Sequence, residues 1–189
     1  MLGGSGYNNV CESRSVLSIV PLPKFPLMSQ IAVYTGSFDP ITLGHLNVIE
    51  RSSKMFDTLV VGIGVNVEKK SLFSTEERKE LVSRVTARWD NVVVETFDGL
   101  AVDFVHAQGS HVMVRGVRPL TDLAAEFTMM MANRQLAPDI ETVFLMADEE
   151  FAHVSSSLIK QIAQFSDDAM LARFVPEEII ACLRAKMGS

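Results

Sequence analysis

Residues 36–45, Gly-Ser-Phe-Asp-Pro-Ile-Thr-Leu-Gly-His, hold the side chains best placed to do chemistry. They follow an apolar run at 31–34 that reads as a buried strand. They precede Leu46, Ile49 and Phe56, whose spacing reads as one face of a helix. The stretch is therefore a glycine-containing turn from a strand into a helix start. That start carries Thr42 and His45, three residues apart on one turn. A helix N-terminus presents unpaired N–H groups and a partial positive charge, so anions settle there. An imidazole able to hydrogen-bond a phosphate oxygen at that point suggests phosphate chemistry. A capping or packed histidine in an ordinary turn would account for the same ten residues, so weight falls on three further segments.

Arg115-Gly116-Val117-Arg118 places two guanidiniums around a small residue, read here as a turn. Arginine suits phosphate because its donors match two oxygens at once. Glu126, on the following helix, is able to pair with an arginine or to accept from a ribose hydroxyl. Val154-Ser155-Ser156-Ser157 offers three hydroxyls at a helix start, where N-capping alone needs one. Lys69-Lys70 follows the second strand, where two lysines in an acidic chain would steer an anion. Several signatures are missing: there is no G-x-x-x-x-G-K-S/T loop and no G-x-G-x-x-G fingerprint. Ser37 and Ser155 lack an evident base. His106, His111 and His153 are scattered, without zinc-ligand spacing.

The elements that must position these groups alternate. Strand-like runs at 31–34, 59–65, 92–97, 112–115 and 142–146 are separated by helical segments. Ser74 with Glu77 is a capping-box pair opening a helix towards Arg88. A shorter helix over 100–108 ends at Gly109. A long one over 121–136 carries an apolar stripe of Leu123, Phe127, Met130 and Met131. Met129, Met130 and Met131 read as core or subunit-contact filler, with core packing the simpler reading. Helices over 155–165 and from Pro176 to about Met187 follow. The pattern predicts an α/β, Rossmann-like, doubly wound five-stranded parallel sheet of order 3-2-1-4-5, helices on both faces and a C-terminal helix. In that order the winding reverses between the first and fourth strands, so residues 36–38 and 115–118 face one crevice.

At 189 residues, 48% hydrophobic and 21% charged, the chain suits one domain with a full core. A net charge of −6 argues against a nucleic-acid coat or a membrane surface. Cys11 and Cys182 form no disulfide framework, which fits a reducing cytosol. No apolar run approaches the ~18 to 20 residues of a span. Residues 1–27, with Gly3-Gly4-Ser5-Gly6 and Pro21, Pro23 and Pro26, read as an appended tail, partly disordered, ahead of a single domain over 28–189.

Thr42-x-Gly44-His45, Arg115-Gly116-Val117-Arg118 and Ser155-Ser156-Ser157 together resemble the nucleotidyltransferase superfamily, whose signature includes T/H-x-G-H. With Lys69-Lys70 and Val143-Phe144-Leu145-Met146, the fuller text is similar to the bacterial phosphopantetheine adenylyltransferases, from about residue 31 to 187. The resemblance implies a cytoplasmic, magnesium-dependent (Mg2+) homohexamer. ATP and 4′-phosphopantetheine would react by direct in-line attack, without a covalent intermediate, to give dephospho-coenzyme A and pyrophosphate. It implies catalytic roles for His45, Lys69 and Arg118. Ser37, Phe38, His45, Gly116, Val117, Arg118, Glu126, Phe151, Ala152, His153, Val154, Ser155, Ser156 and Ser157 would meet ATP. Ser37, Lys69, Ala101 and Arg115 would hold the phosphopantetheine. Ser37 stands where many members have threonine, and its hydroxyl keeps the role. Two alternatives stay open: a sister enzyme that adenylates nicotinate mononucleotide or another small phosphate, and a non-enzymatic module that binds coenzyme A or a nucleotide as a sensor.

Overall fold

Each strand of the sheet is a short, mostly apolar run whose successive residues point to opposite faces, and helices lie on both faces. The computed structural model describes residues 30–65, 71–118 and 123–188. The tail over 1–27, Lys69, Lys70 and Thr121 lie outside the described residues. The strands are β1 (Ile31–Gly36), β2 (Thr58–Gly64), β3 (Val92–Phe97), β4 (Val112–Val117) and β5 (Glu141–Met146). They pair in parallel in the order β3-β2-β1-β4-β5, as the sequence predicts. The helices are α1 (Leu43–Ser53), α2 (Thr75–Thr86), α3 (Ala101–Ala107), α4 (Leu123–Leu136), α5 (Ser156–Ile162), α6 (Asp168–Leu171) and α7 (Glu177–Met187).

The pleat divides the core in two. Ala32, Tyr34, Leu59, Val61 and Ile63 join Leu46, Ile49, Leu81, Val82, Ile179 and Leu183 on the face covered by α1, α2 and α7. Val33, Val60 and Met113 join Val102, Phe104, Val105, Ala137 and Ile140 on the other. Gly62 is what lets α3 approach: a Cβ there would stand 2.4 Å from the Phe104 ring. No helix among the described residues is long and apolar enough to cross a membrane.

Boundaries shift where tertiary pairing intervenes. β4 runs on to Val117 because Gly116 and Val117 pair with Leu145 and Met146, so the turn expected at 115–118 is the end of a strand. The helix expected over 155–165 is α5 with Ser155 as its N-cap, and α6 is an additional short turn. Pro176 is the N-cap of α7 rather than its first residue. The expectation that the α4 stripe packs in the core is overturned. No residue of α4 is buried; Leu123, Phe127 and Met129 are each more than half exposed, and Met131 nearly so. The second core is closed instead by α3 and by Ala137 and Ile140, beyond the end of α4.

Candidate active site

At the carboxyl ends of β1 and β4, where the winding reverses, lies a cavity of about 240 Å³. It is lined by Tyr34 and Gly36 from β1, Thr42, Gly44, His45 and Val48 from α1, and Arg115, Gly116, Val117 and Arg118 at the end of β4. Glu126, Ala147, Phe151, Val154, Ser155, Ser156 and Ser157 complete the wall. The imidazole and both arginines thus share one pocket.

His45 is held by its own helix cap. The Thr42 backbone N–H donates to His45 Nδ1 at 3.1 Å, and the Thr42 hydroxyl lies 2.9 Å from the same atom. In return the Thr42 Oγ1 accepts from the His45 N–H at 3.4 Å, a capping box with histidine in the position usually taken by glutamate. A backbone N–H can only donate, so Nδ1 is an acceptor and the neutral ring carries its proton on Nε2. Burial, with the Arg118 charge adding to it, lowers the His45 pKa to about 4. The ring is therefore neutral near pH 7, with Nε2–H as a donor. Phe38, itself buried, packs edge-on against it, with ring centroids 5.1 Å apart. Phe38 holds φ at +47°, an uncommon conformation for a bulky residue and one that clusters at functional turns.

Arg115 and Glu126 occupy each other. Arg115 Nε and Nη2 donate to the two Glu126 carboxylate oxygens, each at 2.7 Å. Nη1 donates to the Thr35 carbonyl at 2.8 Å and the Thr35 hydroxyl at 3.0 Å. Burial by itself would lower the guanidinium pKa; the Glu126 hydrogen bond and charge outweigh it and hold the pKa above the ordinary value. Beside it, burial pushes the Tyr34 phenol well above its usual range, so the hydroxyl keeps its proton. Gly116 presents bare backbone to the cavity, because a Cβ would stand 3.0 Å from both the Tyr34 hydroxyl and Val48. Arg118 Nη1 reaches the Val154 carbonyl at 3.5 Å, linking the end of β4 to the segment that enters α5.

Two of the three serines have structural work. The Ser155 hydroxyl accepts from the Leu158 N–H at 3.1 Å as an N-cap, and the Ser156 hydroxyl donates to the Pro40 carbonyl at 2.7 Å. Ser157 is exposed on the cavity wall. Other predicted residues stand outside the wall. Ser37 is exposed at the end of β1, and the Phe38 ring lies beneath His45. Ala101 opens α3 beyond the end of β3. Ala152 follows the turn Glu149–Phe151, and the exposed His153 ring packs edge-on against Phe174.

Sequence reading missed the groups that brace the turn. Asp39 is buried; its carboxylate accepts the Leu72 and Phe73 N–H groups at 2.9 Å and pairs with Lys160. Arg78 of α2 is 3% exposed and donates from Nη1 to the Ser37 carbonyl at 2.8 Å and the Gly64 carbonyl at 3.0 Å. It clamps the carboxyl ends of β1 and β2 together. The signal was present: Arg78 precedes Leu81, Val82 and Val85 at helical spacing, a charge on an apolar face.

Comparison with known proteins agrees with this architecture. The model of the cytidylyltransferase-like family matches residues 33–162. A phosphopantetheine adenylyltransferase of Rhodopirellula baltica is 70% identical over 164 residues, covering 86% of this chain and 92% of that protein. One from Clostridium botulinum is 49% identical over 152 residues, covering 80% and 94%. A nicotinic acid mononucleotide adenylyltransferase of Plasmodium falciparum, solved with NaAD, shares the fold at a TM-score of 0.64. It is 14% identical, and the match covers 85% of this chain and 96% of that one. With its sheet order, its shared pocket and relatives this similar over most of their length, the chain belongs to the phosphopantetheine adenylyltransferase family of cytidylyltransferase-like nucleotidyltransferases.

Proposed function

We propose that this protein transfers the adenylyl group of ATP to 4′-phosphopantetheine, yielding dephospho-coenzyme A and pyrophosphate. An oxygen of the acceptor phosphate attacks the α-phosphorus of ATP while the bond to the leaving pyrophosphate breaks in line. A phosphate monoester is largely a dianion at neutral pH, with a second pKa of about 6, so the nucleophile needs no general base. It needs alignment and relief of crowded charge. The observation that carries the reading is the Thr42–His45 capping box. It dictates the tautomer that puts a proton on Nε2 at a cavity wall also carrying Arg118. His45 Nε2–H donates to the oxygens of the reacting phosphate as charge builds, and Arg118 supplies the compensating positive charge.

Arg115 is pre-oriented by Glu126 and Thr35, which take four of its five N–H groups and leave one on Nη2 for the acceptor. Lys69 assists at the acceptor phosphate, with Ser37 and Ala101 along the pantetheine path. Phe38 acts through its backbone at the turn and through its ring under His45. Gly116, Val117 and Glu126 meet the nucleotide, and residues 151–157 close over its phosphates. The described lining residues fit a magnesium ion that arrives with the triphosphate. They include hydroxyls and cations, but their one carboxylate, Glu126, is already bidentate to Arg115. When bound, that ion neutralises part of the phosphate charge. In this reading the protein is a cytoplasmic homohexamer, and the exposed apolar face of α4 supports a subunit contact there.

Pyrophosphate release from ATP, measured with each acceptor in turn, tests the reading. Release is expected with 4′-phosphopantetheine and at background with nicotinate mononucleotide. The opposite ranking, or tight ATP binding with no release under either acceptor, overturns it.

A further inference from the structure

Far from the nucleotide cavity, the fold gathers two histidines and an aspartate that look unrelated in sequence. His106 lies in the last turn of α3, His111 immediately precedes β4, and Asp139 sits between α4 and β5. They share the rim at the amino ends of the strands, opposite the reaction. Asp139 Oδ2 is 3.0 Å from His106 Nε2 and 3.0 Å from His111 Nδ1. One ligand atom from each of the three residues lies within 4.8 Å of the others, and the imidazole centroids are 6.2 Å apart.

We propose that His106, His111 and Asp139 form a surface site for a late divalent transition metal ion such as zinc. Ligand atoms about 2.0–2.1 Å from a tetrahedral ion stand roughly 3.3 Å from each other. The two histidine–carboxylate separations are already close to that. The third closes by rotation of exposed rings, since the His111 side chain is 70% exposed. The backbone beneath is tied down. The Gly109 N–H donates to the His106 carbonyl at 2.9 Å, and the Glu141 N–H to the His111 carbonyl at 2.9 Å. The Ser110 hydroxyl donates to the Ile31 carbonyl at 2.6 Å. Little ordering remains to be done when an ion binds.

The electrostatics agree. His106 stands at the carboxyl end of α3, where the aligned carbonyls favour positive charge. Binding moves the ring protons off His106 Nε2 and His111 Nδ1, either to the other ring nitrogens or to solvent, and exposes two lone pairs. Two imidazoles and one carboxylate suit zinc, nickel or copper. The oxygen-only preference of magnesium or calcium is poorly met. A fourth position stays open to water. The bound ion would pin the α3–β4 turn to the α4–β5 turn.

The test titrates the untagged full chain, stripped by chelator, with zinc alone. It follows uptake by calorimetry and the unfolding temperature in parallel. One ion per chain is expected, with a higher unfolding temperature. His106→Ala, His111→Ala and Asp139→Asn should each weaken uptake by at least roughly tenfold and abolish the thermal shift. Pyrophosphate release by the three variants should match the parent, which separates this site from the catalytic reading. Failure of the parent chain to take up zinc overturns the proposal. So does uptake that all three substitutions leave unchanged, since the ion would then sit elsewhere.

Discussion

The two faces of the sheet are covered unequally. On one, α1, α2 and α7 bury Leu46, Ile49, Leu81, Val82, Ile179 and Leu183 against alternate residues of β1 and β2. Two of these helices support the cavity: α1 carries Thr42 and His45 at its start, and α2 sends Arg78 under the turn that leads to it. On the other, α3 packs tightly through Phe104 over Gly62, but α4 lies beside β4 with no buried residue and its apolar side chains in solvent. One face is finished within a single chain and the other is not. Catalytic geometry needs side chains locked by their neighbours, which the first face supplies for Thr42 and His45. An unfinished apolar helix is what a subunit contact requires.

Breaking His45 should produce the largest effect. His45→Ala removes a preorganised donor and should lower turnover by roughly 10²- to 10³-fold, with a smaller change in KM, in steady-state pyrophosphate release. Near-normal turnover would take His45 out of the chemistry. Next, Arg78→Met strips the Ser37 and Gly64 carbonyls of the donor they share. It should lower unfolding free energy in urea by on the order of 2–4 kcal/mol. An unchanged midpoint would show that the clamp on Ser37 and Gly64 is dispensable.

The pH dependence of stability probes the same face more gently. The unfolded chain takes up a proton on His45 near its ordinary value of 6.5, whereas the folded chain does so only at about 4. Between those values the unfolded state binds more protons, so this residue's contribution is complete above about pH 6.5 and fades as pH falls towards 4. His45→Gln should flatten that stretch of the urea stability profile; an identical slope would contradict the buried neutral ring. The smallest effect on the chain's own stability belongs to α4. Phe127→Glu with Met131→Glu should change unfolding free energy by no more than about 0.5 kcal/mol per site. The same pair should lower the sedimenting mass of the assembly. A monomer before substitution would detach α4 from any subunit role.

Much of the active-site wall was legible in local text. The Gly-Ser-Phe-Asp-Pro turn, the Thr42–His45 pair, the arginines and the serines all fall within short segments whose residue types announce strand ends and helix starts. Their convergence followed from the winding rule, because alternating strands and helices leave few ways to build a parallel sheet. What escaped was every contact made across long stretches of chain. Asp39 reaches the Leu72 and Phe73 amides and Lys160, and Arg78 reaches the Ser37 carbonyl. Arg115 spends its donors on Glu126 and Thr35. The α4 stripe misled because periodicity reports that a face is apolar without saying whether core or partner covers it.

By itself, the amino-acid order determined the alternation of elements, the strand order and which side chains stand at each strand end. Backbone period and capping are local and few topologies satisfy them. Tertiary structure alone decided which donors were already taken, how far His45 is desolvated beside Arg118, and where two histidines meet an aspartate distant in the chain. Those outcomes depend on separations of a few ångströms between residues far apart in the chain, and hydrogen bonding and burial act only at that range.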